Sequence, residues 1–165
     1  MFDAETTNLA TAVLDACRQA DATVGTVESC TGGLVGGALT AIAGSSDVVL
    51  GGLITYSNAD KMALASVPAE LFEAHGSVSE PVARAMAAGG RAALSATLSV
   101  AITGVAGPGG ASAGKPVGLV HFACAGPGGT AHREHRFGPL SRDEIRRLSV
   151  LTALEMLREA AASLP

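Results

Sequence analysis

The stretch Val24-Gly25-Thr26-Val27-Glu28-Ser29-Cys30-Thr31-Gly32-Gly33 limits the possible folds of this chain more than any other. It begins as a short, β-branched strand, and its glycine pair opens an apolar segment from Leu34 to Ile42 that reads as a helix. A strand running straight into a helix puts the junction at a strand's carboxyl end. There the first N–H groups of the helix and the positive end of its dipole suit an anion or a developing oxyanion. Ser29 and Thr31 equally suit a structural task, because hydroxyl residues are the usual helix N-caps. Gly32-Gly33 supplies a tight turn, whereas Gly36-Gly37 falls inside the expected helix, where each glycine costs about 1 kcal/mol relative to alanine. That cost implies close backbone approach by a neighbouring strand, a partner subunit or a ligand.

The rest of the chain alternates in the same manner. Leu9, Val13, Leu14 and Cys17 give the segment from Glu5 to Ala20 one buried helical face. Val48 to Tyr56 reads as a second strand with a glycine bulge, and Ser57 or Asn58 caps a short helix with Lys61 in its first turn. Pro68 to Ala74 is a short helix closed by His75-Gly76, and Ser77 to Glu80 opens a longer one with Pro81 in its first turn. Leu98 to Thr103 is a compact strand that leads into the glycine-rich loop Gly104 to Pro116. The glycine order there is neither a Rossmann nor a Walker fingerprint, and a strand, Val117 to Cys124, follows where those motifs need a helix. A glycine loop of this length is either a mobile surface loop or a ligand-binding one, and its departure from a strand's carboxyl end favours the second. Thr130 to Phe137 completes a hairpin, and Ser141-Arg142-Asp143-Glu144 is a capping-box pattern that opens a last amphipathic helix.

These alternating patterns imply a single α/β domain over residues 1–165: a three-layer α/β/α sandwich on a mixed sheet of about five or six strands. The hairpin is what makes the sheet mixed. With no Trp, one Tyr and four Phe, the core is built from aliphatic side chains. A formal charge of −4 argues against non-specific binding of nucleic acid. Met1 to Glu5 is acidic where a secretory signal would be basic, and no apolar run approaches the roughly 18 residues that span a membrane. Cys17, Cys30 and Cys124 form no metal or disulfide spacing, so the expected setting is a reducing cytoplasm. His132 and His135 lie on opposite faces of their strand, and His75 and His121 stand alone, so no metal site is expected.

Lysine usage is the sharpest chemical clue. The chain has nine arginines and only two lysines, Lys61 and Lys115, both beside strand ends and turns. Lysine can lose its proton near neutrality when a site lowers its pKa, whereas arginine cannot. A Ser–Lys pair fits this pattern, and so do two solvated surface groups. Cys30, beside a helix start, is a rival nucleophile, but no histidine near it in sequence would activate it. It reads as a small buried apolar residue.

The blocks Glu28-Ser29-Cys30-Thr31-Gly32-Gly33, Ile42-Ala43-Gly44-Ser45-Ser46, Thr55-Tyr56-Ser57-Asn58, Lys61, His75 to Ser79, Ala101 to Gly110 and Lys115 to Gly118 together resemble the CinA C-terminal domain family, over nearly the whole chain. The resemblance implies nicotinamide-nucleotide amidohydrolase (NMN deamidase) activity. That reaction hydrolyses the carboxamide of nicotinamide mononucleotide to nicotinic acid mononucleotide and ammonia, with no cofactor. It also implies the stand-alone form, without the N-terminal domain of longer relatives, and a homodimer. By motif match Ser29 takes the nucleophile's place and Lys61 that of the general base, with Tyr56 and Thr103 in the same site. Tyr56 has two readings, stacking on the pyridine ring or hydrogen bonding near Ser29. Thr31, Gly32, Thr103, Gly104 and Arg142 are the substrate-contact candidates, with Arg142 or Arg146 for the phosphate. Gly36-Gly37 and the alanine-rich helix Ala83 to Ala93 are the surfaces suited to close subunit packing. The alternative from a different class is a non-catalytic nucleotide-binding or regulatory module linked to competence and DNA damage.

Overall fold

The computed structural model describes residues 1–165. Helix α1 (Ala4–Gln19) starts where the Asp3 carboxylate accepts the Thr6 N–H at 2.8 Å, and it buries Ala10, Val13, Leu14 and Cys17 as a continuous stripe. Strand β1 (Val24–Glu28) follows, buried at all five positions. The chain continues through α2 (Leu34–Thr40), a 3-10 turn (Ser45–Asp47), β2 (Val49–Ile54), α3 (Asn58–Ala65), α4 (Ala69–His75) and α5 (Glu80–Leu94). It ends with β3 (Leu98–Gly104), the hairpin β4 (Leu119–Gly126) and β5 (Gly129–Arg136), and α6 (Arg142–Ala162). Ser141 caps α6 by accepting the Glu144 N–H, as the capping-box pattern predicts.

The five strands form one mixed sheet in the order β2-β1-β3-β4-β5. β1 runs parallel to both β2 and β3, and β4 and β5 are antiparallel to their neighbours. The expected bulge lies in β2, where Val24 pairs with Val49 but Gly25 pairs with Gly51. The chain leaves β1 for β2 on one side and returns to β3 on the other. The carboxyl end of β1 is therefore a reversal point, where an open α/β sheet offers a crevice.

Helices cover both faces, which gives the three layers. On one face α1, α2 and α6 enclose the larger core, with Leu14, Val35, Val100, Ile102, Phe122 and Leu154 among its 25 residues. On the other, α3 and α5 pack against a smaller cluster of ten that includes Val27, Ala65, Met86, Ala101 and Ala123. Alternation along β3 and β4 produces this asymmetry, because the bulky residues face α1 and α6 while the alanines face α5. Small residues on that second face let the helices come close. A Cβ at Gly90 would stand 2.1 Å from Val27 Cγ2, and one at Gly89 would stand 1.6 Å from the Ala65 carbonyl oxygen of α3.

Several expectations change. Ser29 and Thr31 do not cap α2: the cap position is Gly33 in the left-handed region (φ 96°), and the capping group is the Glu28 carboxylate. Gly36 and Gly37 are used within the subunit, facing Thr26 with Glu28 and the Phe2 ring respectively, and α5 buries Ala83, Met86 and Ala87 against the sheet. His121 is not isolated. Its Nδ1 lies 3.0 Å from His132 Nε2 across the β4–β5 pair, because both side chains project from the same face of the sheet. No group of three or more His, Cys, Asp or Glu converges as a metal site would require. No helix is long and apolar enough to cross a membrane.

Candidate active site

Three strand ends build the site. Ser29 follows β1 directly, and its N–H donates to the Ile102 carbonyl of β3 at 3.0 Å. Thr55 follows β2, and its N–H donates to the Glu28 carbonyl at 2.8 Å. These bonds extend the sheet by one residue and fix Ser29 between its two neighbours. Ser57 then caps α3, accepting the Asp60 N–H at 3.0 Å, and the helix turns Lys61 back under the strand ends.

Lys61 is 2% exposed, and its Nζ donates to Ser29 Oγ at 3.1 Å and to the Thr55 carbonyl at 2.9 Å, with the Tyr56 carbonyl at 3.5 Å. Burial lowers the Lys61 pKa below the ordinary lysine value, opposed by the thiol of Cys30 and by Asp60. The position near the start of α3 is thus secondary to plain burial. A neutral amine here donates its two N–H bonds to the two carbonyls and turns its lone pair toward the Ser29 hydroxyl. That is the arrangement of a base poised on a nucleophile.

The cavity above this pair has a volume of about 190 Å³ and is lined by Ser29, Cys30, Tyr56, Asn58, Lys61, Ser77, Val78, Thr103, Gly104, Ala106 and Arg142. No acidic side chain lines it, and the Arg142 guanidinium does, so it suits an anionic ligand. Thr103 is 1% exposed and donates its hydroxyl to the Ser77 carbonyl at 2.8 Å, joining β3 to the segment between α4 and α5. Arg142 donates to the Gly107 carbonyl at 2.8 Å and lies 3.4 Å from the Tyr56 hydroxyl. A larger groove of about 650 Å³ lies at the other end of the sheet, between β5 and the last turns of α6, far from the Ser–Lys pair.

The structure thus brings together Ser29, Lys61, Thr103, Gly104 and Arg142, with the Tyr56 ring at the rim. Tyr56 is 63% exposed and its hydroxyl points to Arg142, not to Ser29 or Lys61, so a direct part in proton transfer does not fit. Thr31 is fully buried and does not line the cavity, nor does Gly32, whose φ of 59° serves the turn. Arg146 is engaged elsewhere, donating to the carbonyls of Cys30 and Thr31 at 3.2 and 3.1 Å. Cys30 lines the cavity but is 6% exposed, and burial pushes its thiol up to about 12, which leaves no thiolate for attack. Lys115 serves as a strap, its ammonium donating to the His75 carbonyl and tying the glycine-rich loop to the opposite wall.

A family model described as the CinA C-terminal domain matches residues 6–161. The chain belongs to this family. It is 56% identical over 158 residues to a CinA-like protein of Synechococcus sp. (strain RCC307), covering 95% of this chain and 38% of that protein. A CinA-like protein of Gloeobacter violaceus is 46% identical over 95% of this chain and 37% of its own length. The chain therefore spans about a third of the length of the curated relatives it matches. Among solved structures, competence/damage inducible protein CihA from Agrobacterium tumefaciens superposes with a TM-score of 0.94 at 46% identity, covering 98% of each chain. A CinA superfamily protein from Escherichia coli gives 0.90 at 32% identity, over 96% of this chain and 93% of that one. The three-layer architecture on a mixed sheet is thus the CinA fold. Asn58 and Ser77, which line the cavity, and Glu28, which caps α2 beside it, are residues to which the sequence alone assigned no part in the chemistry.

Proposed function

We propose that this CinA-family domain hydrolyses the carboxamide of nicotinamide mononucleotide, yielding nicotinic acid mononucleotide and ammonia, with Ser29 and Lys61 as the catalytic pair. The buried 3.1 Å contact between Lys61 Nζ and Ser29 Oγ carries the reading. Neutral Lys61 takes the Ser29 hydroxyl proton as Oγ attacks the carboxamide carbon. The carbonyl oxygen becomes an oxyanion, for which the N–H of Cys30 is the available donor, since it donates to no oxygen of the chain and Cys30 lines the cavity. Lys61 then gives its proton to the departing nitrogen, and ammonia leaves an acyl ester on Ser29. A water molecule, deprotonated by Lys61, attacks that ester and restores the serine. Arg142 at the rim supplies a charge for the nucleotide phosphate, and the exposed Tyr56 ring offers a face to the pyridine.

The deciding experiment mixes the purified protein with nicotinamide mononucleotide and measures released ammonia. Saturable release supports the reading, and binding without release favours the non-catalytic nucleotide-binding module. Three free, buried cysteines suit a reducing, cytoplasmic setting for such salvage of pyridine nucleotides. The same reading includes a homodimer. We place its packing surface at the β2 edge and the neighbouring outer face of α3, where Leu50 and Ile54 of β2 and Met62 and Leu64 of α3 remain exposed, in preference to Gly36 and Gly37, which face Thr26 with Glu28 and the Phe2 ring within the subunit. Light scattering at micromolar concentration is expected to give twice the 16.3 kDa chain mass. A monomer there removes the homodimer from the proposal.

A further inference from the structure

We propose that Glu28 is a positioning residue for the reaction, one that holds the oxyanion donor, the Cys30 N–H, in place by capping α2 from the end of β1. The inference rests on the amidohydrolase reading of the site. Glu28 is 1% exposed, and a carboxylate at that depth needs compensation. It has it in three N–H groups: Oε2 accepts from Gly33 at 3.0 Å and Val35 at 3.1 Å, and Oε1 accepts from Gly36 at 2.9 Å. Helix starts are ordinarily capped by the residue just before them. Here that residue is a glycine, and the capping group reaches across from five to eight residues upstream.

The consequence appears when every N–H from Ser29 to Gly36 is followed to its acceptor. Ser29 donates to Ile102, Gly32 to the Ser29 carbonyl, and Leu34 to the Thr31 carbonyl, while Glu28 takes Gly33, Val35 and Gly36. Cys30 and Thr31, the two residues after the nucleophile, are left over, and of the two only Cys30 lines the cavity, Thr31 being fully buried. The turn around Cys30 is held from both sides. Arg146 holds the Cys30 carbonyl from the α6 side. The Cys30 N–H shares its peptide with the Ser29 carbonyl, which the Gly32 N–H fixes. Glu28 anchors the far end of this turn, so the first N–H groups of α2 are consumed and the Cys30 N–H beside Ser29 is not.

The test is Glu28→Gln. A carboxamide has one acceptor oxygen, so its NH2 must face either the Gly36 N–H or the Gly33 and Val35 pair, and the turn shifts. Loss of alignment at an oxyanion donor costs about 10²-fold in kcat, and that loss is expected here with KM changed less than about threefold. Glu28→Asp keeps the charge, falls one carbon short of α2 and is expected not to rescue; it serves alone if Glu28→Gln does not fold. A folded variant that melts lower but keeps its kcat within about threefold overturns the proposal, because a merely structural cap predicts that result. If the wild type releases no ammonia, the amidohydrolase reading is what has failed, and a crystal structure of the variant decides the positioning role. A Cys30 N atom displaced by about 0.5 Å or more supports it, and its staying in place overturns it.

Discussion

Lys61→Arg is expected to release ammonia from nicotinamide mononucleotide about 10³-fold more slowly than the wild type, and Ser29→Ala to fall as far. Arginine keeps the charge but stays protonated at any working pH, so it cannot take the Ser29 proton. A lysine that served only as an electrostatic clamp would let arginine retain much of the activity. Cys30→Ala is expected to stay within about threefold of wild type, since the thiol is buried and pushed up to about 12. Near-normal release by a folded Lys61→Arg would end the Ser–Lys assignment and return attention to Cys30 or an activated water.

The pH dependence follows from the same lysine. Burial lowers its pKa in the folded protein, so the base form accumulates as pH rises, and kcat should climb on the acid side until pH passes that lowered value. Stability moves in the same sense. Between the folded value and the unfolded one of about 10.4, the unfolded chain binds more protons, so the free energy of unfolding rises with pH. Below the folded value the lysine is charged in both states and the full cost of burying it is present. Lys61→Met removes that charge and is expected to melt at or above the wild-type temperature near neutral pH while remaining inactive. A Lys61→Met protein that melts well below wild type would show that the lysine's hydrogen bonds to Thr55 and Ser29 outweigh its burial cost.

Gly89→Ala is expected to destabilise the domain by ~3 kcal/mol or more, lowering Tm by roughly 10 °C. A Cβ at that position would stand 1.6 Å from the Ala65 carbonyl oxygen and 2.6 Å from its carbon, and a backbone group cannot rotate aside as a side chain can. Relief requires α3 and α5 to separate. Because α3 also carries Lys61, any folded fraction should lose ammonia release along with stability. Gly37→Ala is the contrast: its Cβ would meet only the Phe2 ring, at 3.5 Å, an ordinary contact. There the helix gains propensity, and Tm should hold or rise. Equal Tm values for the two variants would show that the contact between α5 and α3 is not the tight one.

The division between what the chain spells out and what folding adds runs through these same residues. Periodic burial is a local record: the stripe of Val13, Leu14 and Cys17, the compact apolar strand β3, the Ser141 cap and the hairpin turn near Gly129 were legible because each depends on neighbours in the chain. The order of blocks from Glu28 to Gly118 likewise named the family, and with it the Ser–Lys pair. Sequence could not say which glycines make the close approach, and it pointed to Gly36-Gly37 when the severe contact is at Gly89, because that depends on where α3 lands on α5. Nor could it say that the cap of α2 is Glu28 and not Ser29 or Thr31, that the Tyr56 hydroxyl turns to Arg142, or that His121 meets His132. Lys61 and Ser29 stand 32 residues apart, and only the parallel pairing of β2 with β1 brings the start of α3 beneath the end of β1. Side-chain chemistry of this kind is fixed by strand adjacency and by burial, which lowers the lysine's pKa only once the sheet and α5 have closed around it.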